Sequence, residues 1–479
     1  MNTVKPLNLP TLSEAFSLLA EQLHCVTPAS HWQRVVQPVP TDISLLAWLA
    51  GSSGIRLYWS NRDYTLEAAG VGVALSFKLN TLQAFDECHR QLDEIFQTSP
   101  NARIYGGLAF SSEESDFWPG FSGGELILPR FELLRSNNPQ NNPQNNPQNN
   151  PQNNPQNSAL ILACNLFFDG SPAMEAERRR VIDQLQELKS TLETAAFFPT
   201  AMPRAAIVME HPDWDSWQRC AGEALDELNT GSVAKVVLSR EQTLSLDGDL
   251  CPWSMLRQWQ QLTPDTYRFG FTNEHGETFF GASPERLYQR QGKSLRSEAL
   301  AGTTPRGSDP VQDRRLAAAL LADDKNRREN ALVLHAITEA LSQCSEYVEP
   351  ARDRELVKLR NIQHLRQCVA ATLKDETCDA TLIRLLHPTP AVGGLPKEKA
   401  MKLISRLEAY PRGWYAGPFG MLEQNGAEFA VAIRSARLSG HTLKLYSGVG
   451  MVPGSNIDDE WDELNSKLRT VQSILKVNE

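Results

Sequence analysis

Residues 446–467 read YSGVGMVPGSNIDDEWDELNSK. The stretch opens as the end of a strand, turns through Gly448, Gly450 and Gly454, and enters a helix with Ser455 or Asn456 as N-cap. On that helix Glu460, Glu463 and Lys467 stand at i, i+3 and i+7, so one face carries two carboxylates and an ammonium. Leu464, Leu468, Val471 and Leu475 form an apolar stripe beside it. The glycines leave backbone N–H groups open to an anion, and paired helix carboxylates are a hard-oxygen donor set suited to Mg²⁺. The plain alternative is a solvated helix face with a Glu463–Lys467 ion pair. What the rest of the chain offers decides between them.

Upstream, residues 414–450 read as three strands with turns at Asn425-Gly426 and Ser439-Gly440. HPTPAVGGLPKEKAMKLISRLE is a Pro/Gly-rich turn opening a helix, and LVKLRNIQHLRQCVAATL is a strand. One long helix is expected from about Asp309 to Cys344. YRFGFTN and ETFFGASPERLYQR pair around a turn, and Ser283-Pro284 breaks the second run just before Glu285. VAKVVLSREQTLSL is a strand that follows the helix DSWQRCAGEALDELNTG. Strands outnumber β-α-β units, so the fold class is α/β of the α+β kind: large, mostly antiparallel sheets with helices packed outside.

Residues 1–213 continue that pattern as an N-terminal part of the same fold, with 214–479 as the motif-bearing region. Strands are expected at IRLYWSN, VGVALSF, ARIYGGLAFSS and GELILPRFELLRS, and helices at SEAFSLLAEQLHCV, TLQAFDECHRQLDEIF and residues 173–195. Residues 197–213, with prolines at 199, 203 and 212, read as a linker within the fold. Five copies of Asn-Asn-Pro-Gln fill 137–156 between FELLR and ALILACNLFF. Proline at every fourth position forbids helix and sheet interior, and nothing apolar is there to bury. The segment 137–157 is expected as a disordered loop at a hairpin tip, which loop-closure entropy tolerates.

The formal charge of −10 argues against nucleic acid or an acidic membrane surface as partner, so an anionic substrate needs locally concentrated cations. The eight cysteines are scattered, with no C-x-x-C and no zinc spacing, which reads as reduced thiols in a cytoplasmic protein. The N-terminal residues do not read as an export signal, and no apolar run reaches the roughly 18 residues of a membrane span.

Lys235 sits on a strand among valines; buried there, a lysine loses charge and becomes a candidate base, whereas at an edge it merely snorkels. Glu285 after its Ser-Pro turn is either an exposed partner of Arg286 or, in an apolar pocket, a proton donor. Glu329 lies in the polar run DDKNRREN, as part of a solvated face or as a metal ligand opposite Glu463. Arg434 offers a bidentate fork for a carboxylate, Tyr415 lies nearby on the C-terminal strands, and His364 is a substrate contact or a structural histidine.

Taken together, KVVLSR, SPERL, EALAGT, ADDKNRREN, IQHL, LHPTPAVGGLP, WYAGPFG, FAVAIRSA, YSGVGMVPGS and EWDELNSK resemble, in order across residues 215–475, the chorismate-utilising enzymes with their anthranilate synthase component I-like fold. Within that family the chain looks most like the menaquinone-type isochorismate synthases. The resemblance implies Lys235 as the base that activates water and Glu285 as the acid that protonates the departing hydroxyl. It implies Mg²⁺ held by Glu329 and Glu463, with Glu460 assisting through water. Tyr415, Arg434 and the Gly448–Gly450 backbone would hold the enolpyruvyl carboxylate of chorismate, with Gly302, Thr303 and Lys467 on the ring side and His364 as a further substrate contact. A lysine at position 235 favours water over ammonia, so no obligate glutaminase partner is expected. A salicylate synthase and a siderophore-pathway isochorismate synthase are the alternatives within the family. A free lysine has a pKa of about 10.4, so Lys235 is expected buried with positive charge nearby.

Overall fold

Alternating apolar runs joined by short polar turns fold as hairpins, and the computed structural model is built largely from them. It describes residues 9–39, 43–79, 82–111, 118, 120–121, 123–136, 159–194, 199, 201–359 and 362–478. The first half carries α1 (Leu9–His24), β1 (Ala29–Pro38), α2 (Leu45–Ala50), β2 (Arg56–Ser60), β3 (Leu66–Lys78), α3 (Leu82–Thr98), β4 (Ile104–Leu108), β5 (Gly124–Ser136), β6 (Ala159–Phe168) and α4 (Pro172–Thr194). Then come β7 (Arg204–His211), α5 (Trp214–Asn229), β8 (Lys235–Leu246), α6 (Pro252–Leu262), β9 (Tyr267–Thr272), β10 (Thr278–Ser283), β11 (Arg286–Gln291), β12 (Ser294–Pro305), α7 (Pro310–Ala322) and α8 (Asp324–Ser342). The last third holds β13 (Ser345–Pro350), β14 (Glu355–Lys358), β15 (Ile362–Leu373), α9 (Asp379–Leu386), β16 (Gly394–Leu395), α10 (Lys397–Leu407), β17 (Pro418–Glu423), β18 (Gly426–Val431), β19 (Ser435–Ser439), β20 (Thr442–Met451), α11 (Ile457–Gln472) and β21 (Lys476–Asn478).

The long strand β5 pairs with both β3 and β4, and two ladders diverge from it. One runs β3-β2-β9-β10-β19-β20-β8-β7. The other runs β4-β17-β18-β11-β12-β15. Among the described residues every pairing is antiparallel except β7 with β21. The ladders face each other across an aromatic core. Phe269 of the first stacks on Phe419 of the second at 4.9 Å between ring centroids, and Trp59 stacks on Phe419 at 6.2 Å. A second core lies where α1, α2, α4 and α6 cover the outer face of the first ladder.

Four expectations need correction. The helix expected over 309–344 is two helices: Asp323 is extended and its carboxylate accepts from Asn326 N, so an N-cap interrupts the run. The 197–213 linker contains β7, a strand paired with β8 on one side and β21 on the other. Residues 356–373 hold β14 and β15 rather than one strand, and both pair with each other. The three C-terminal strands are four, because Arg434 takes a positive φ of 52° and ends the run between β18 and β19. The Asn-Asn-Pro-Gln repeat lies outside the described residues. The strands flanking it, β5 and β6, pair as far as Ser136 with Ala159.

Candidate active site

The glycines of β20 are where the site begins. Gly450 lies opposite Val237 of β8. A Cβ on Gly450 would stand 2.6 Å from Glu329 Oε1 and 2.9 Å from Lys235 Cε, so only hydrogen fits between strand and carboxylate. A Cβ on Gly448 would stand 2.8 Å from the Tyr415 hydroxyl. Gly302, at φ 87°, forms the irregularity where β12 slips against β15 between Leu300 and Thr303. Past it, Thr303 pairs with His364, and their side chains are 3.0 Å apart at Oγ1 and Nδ1.

Two helices bring the carboxylates. Asn330, fully buried, donates to Ala299 O at 3.1 Å and seats α8 on β12, which aims the preceding Glu329 inward. Asn456 caps α11 by accepting from Asp458 N and Asp459 N, and Glu460 and Glu463 follow on the next turns. Glu285, Gly302, Thr303, Glu329, His364, Tyr415, Arg434, Gly448, Gly450, Glu460, Glu463 and Lys467 all line one cavity that is open to solvent. Lys235 abuts it behind Gly450, 1% exposed.

Burial pushes the Glu285 carboxyl up to about 8, helped by the Glu298 carboxylate and opposed by Lys235, Lys467 and the Thr389 hydroxyl. It is therefore largely protonated at neutral pH. Burial, reinforced by Arg434 and Lys467, lowers His364 to about 3, so its ring is neutral. Burial lowers Arg434 to about 10, which leaves it charged, and its Nη1 donates to Lys467 O at 3.1 Å. Burial alone would raise Glu463, but Lys467 at 2.7 Å, with His364 and Thr303 close by, holds it below the ordinary carboxylate range. Lys467 Nζ also donates to Gly448 O at 2.7 Å.

Lys235 meets one half of its expectation and not the other. It is buried, but its nearest charged partner is a carboxylate: Nζ lies 2.9 Å from Glu329 Oε1. Strand β8 and helix α8 meet at Gly450, and that close approach dictates the pair. The sequence reading missed Lys325, whose Nζ lies 2.6 Å from Glu460 Oε1 and whose affinity for its proton Glu460, Glu329 and Glu463 all raise against burial. Its i,i+4 spacing from Glu329 was a usable signal. The reading also passed over Asn326 and Arg412 in the lining, and Thr389 and Glu298 beside Glu285.

The lining offers hard oxygen donors and no thiolate. Among the described residues no three His, Cys, Asp or Glu groups cluster at metal-holding distance. Two carboxylates on separate helices, a third nearby and room for solvent fit a cation that takes few protein ligands.

A family model described as chorismate binding enzyme matches residues 24–476. The chain belongs to the chorismate binding enzymes. Among these enzymes, isochorismate synthase MenF of Escherichia coli is 30% identical over 98% of this chain and 100% of its own length. Its solved structure superposes with a TM-score of 0.82, covering 97% of this chain and all of that one. The salicylate biosynthesis isochorismate synthase of Pseudomonas aeruginosa is 38% identical over 88% of this chain and 84% of its own. Anthranilate synthase component I of Streptococcus pneumoniae, 17% identical with a TM-score of 0.64 over 98% of this chain and all of that one, shares the fold. The chorismate binding enzymes thus account for both the antiparallel architecture and the order of the motifs that line the cavity.

Proposed function

We propose that the chain is an Mg²⁺-dependent isochorismate synthase. It adds water at ring C2 of chorismate while the C4 hydroxyl leaves and the double bonds shift between them. The observation that carries this reading is a single cavity holding a protonated, buried Glu285 with a buried amine against its wall, in a chain similar over its whole length to MenF.

Lys235 Nζ takes a proton from the attacking water, and Glu285 gives its proton to the departing hydroxyl, which leaves as a second water. Atoms balance, since the product is an isomer, and the two side chains return to their starting states by exchange with solvent. An acid held near 8 is well matched to donation at neutral pH. Arg434, the Tyr415 hydroxyl and the N–H groups around Gly448 and Gly450 face the enolpyruvyl carboxylate. Lys467, Thr303 and His364 face the ring. Glu329 and Glu463 would hold Mg²⁺, with Glu460 through water, and the bound ion supplies countercharge to the ring carboxylate. These cationic groups supply the local field that a doubly negative substrate needs in a chain of net charge −10.

The test is chromatographic identification of the product after purified protein meets chorismate and Mg²⁺. Isochorismate is expected, with Lys235→Ala and Glu285→Gln each slower by about 100-fold or more. Retention of activity in both variants would overturn the assignments. We favour menaquinone supply as the onward use, from the full-length likeness to MenF. The 38% identity to the Pseudomonas aeruginosa enzyme supports a second reading in which the product goes toward salicylate. Salicylate and pyruvate in the same reaction would make the chain a salicylate synthase. All eight cysteines are free thiols, which supports a cytoplasmic site of action. No helix among the described residues is long and apolar enough to cross a membrane.

A further inference from the structure

The proton donor Glu285 occupies the short junction between β10 and β11, where its own N–H donates to Ser283 Oγ at 3.2 Å and its carbonyl accepts from Val431 N at 3.1 Å. Its two neighbours are held from elsewhere. Arg62, in the turn after β2, donates through Nη1 to Pro284 O at 2.8 Å. The Arg286 N–H donates to Glu298 Oε1 at 2.9 Å. Arg62 and Glu298 are themselves joined by two parallel bonds, Nη1 to Oε1 at 2.7 Å and Nη2 to Oε2 at 2.9 Å. Both side chains are buried, Glu298 on β12 and Arg62 over the Tyr267 ring. The peptide groups before and after Glu285 are therefore gripped by one bidentate ion pair, whose halves lie 236 residues apart.

We propose that the Arg62–Glu298 pair is a positioning device for the proton donor: it clamps the backbone on both sides of Glu285 and keeps a fixed carboxylate beside it. This rests on the reading of Glu285 as the acid. Neither residue touches the cavity, so neither is catalytic. The arrangement has an electrostatic consequence. The charged groups facing Glu285 are Glu298 from β12, Lys235 from β8 and Lys467 from α11, with Tyr415 and Thr389 as polar neighbours. Of these charges, Lys235 and Lys467 favour ionisation and Glu298 opposes it. Arg62 and Arg286 hold Glu298 ionised against its burial. The clamp thus restrains the acid and resists its deprotonation with one group. It also gives the N-terminal half of the chain a part in the chemistry, through a residue that no motif there marks.

The test uses the full-length enzyme with Mg²⁺ and chorismate. Glu298→Gln keeps the shape and removes the charge. Its alkaline limb in the pH profile of kcat is expected to move down by about one pH unit, since loss of a like charge eases ionisation of Glu285. An unmoved limb overturns the proposal. Glu132→Gln breaks another buried pair, Arg34–Glu132, away from the cavity, and is the control in which the limb stays. If Glu298→Gln does not fold, Arg62→Lys keeps both charges but loses the fork. It should then lower kcat by about tenfold at unchanged KM, because a looser junction misplaces the acid. A wild-type kcat in Arg62→Lys overturns the clamp. Glu285→Gln separates the two readings: if it is active, the acid assignment fails; if it is inactive while both clamp tests are negative, only the clamp fails.

Discussion

Glu285 illustrates what one buried carboxyl does to a whole protein. Its folded pKa of about 8 lies above the unfolded value of about 4.5, so the folded state binds the extra proton between those limits. Its contribution to stability is full below pH 4.5 and is lost as pH rises through 8. His364 works in the opposite sense: depressed to about 3, it withdraws stability as pH falls below about 6.5. The difference in unfolding free energy between wild type and Glu285→Gln should isolate the first effect. The variant should gain relative to wild type as pH rises from 5 to 8, by up to a few kcal/mol. Denaturant titration across that range checks it, and a constant difference would mean Glu285 is not held protonated. Lys235 shows the limit of residue-level reading. Its burial was foreseeable from the valines around it, but its carboxylate partner was not, because Glu329 lies 94 positions further along, on a helix.

At the scale of elements, the site depends on how closely β20 passes the ends of α8 and α11. Gly450→Ala would force a methyl group to within 2.6 Å of Glu329 Oε1 and 2.9 Å of Lys235 Cε. The expected outcome is a loss of about 100-fold in kcat with cooperative unfolding retained, since positional error of this size is costly at a reacting centre. Gly448→Ala crowds only the Tyr415 hydroxyl and should chiefly raise KM. Steady-state kinetics on the pair would show whether the two glycines divide the work in this way. Helix α8 supplies another handle. Asp323 caps its first turn, and Asp323→Ala should cost about 1 kcal/mol of stability, read from the denaturation midpoint. The same capping explains why a helix expected to run unbroken is two: the aspartate competes for backbone donors better than it continues a helix.

At the scale of the molecule, β5 belongs to the N-terminal half yet starts both ladders, and the aromatic core between them draws on both halves. Trp59 and Phe269 from the first ladder meet Phe419 from the second. Phe419→Ala should therefore destabilise the whole protein by about 3–5 kcal/mol and lower the melting temperature even with substrate present. The Asn-Asn-Pro-Gln repeat stands in contrast. Since β5 and β6 already pair at Ser136 and Ala159, replacing 137–158 by an Asn-Gly turn should leave kcat/KM unchanged. A large fall in activity would give the repeat a role that its composition does not suggest.

Local rules settle much of this chain from its sequence alone. The excess of strands over β-α-β units pointed to the antiparallel class, the Ser283-Pro284 break set Glu285 at a strand end, and the spacing of Glu460, Glu463 and Lys467 fixed one helix face. The ordered motifs named the family. The turn and the helix spacing are short-range facts, fixed by backbone geometry over a few residues, whereas the family rests on the resemblance of motifs spread along the chain. Tertiary structure decided what was paired with what: Lys235 with Glu329, Lys325 with Glu460, and Arg62 with Glu298 beside Glu285. Charge partners 94 to 236 residues apart leave no periodic trace in a single sequence. Their energies depend on burial and on ångström-scale approach, and both exist only once the two ladders have closed on each other.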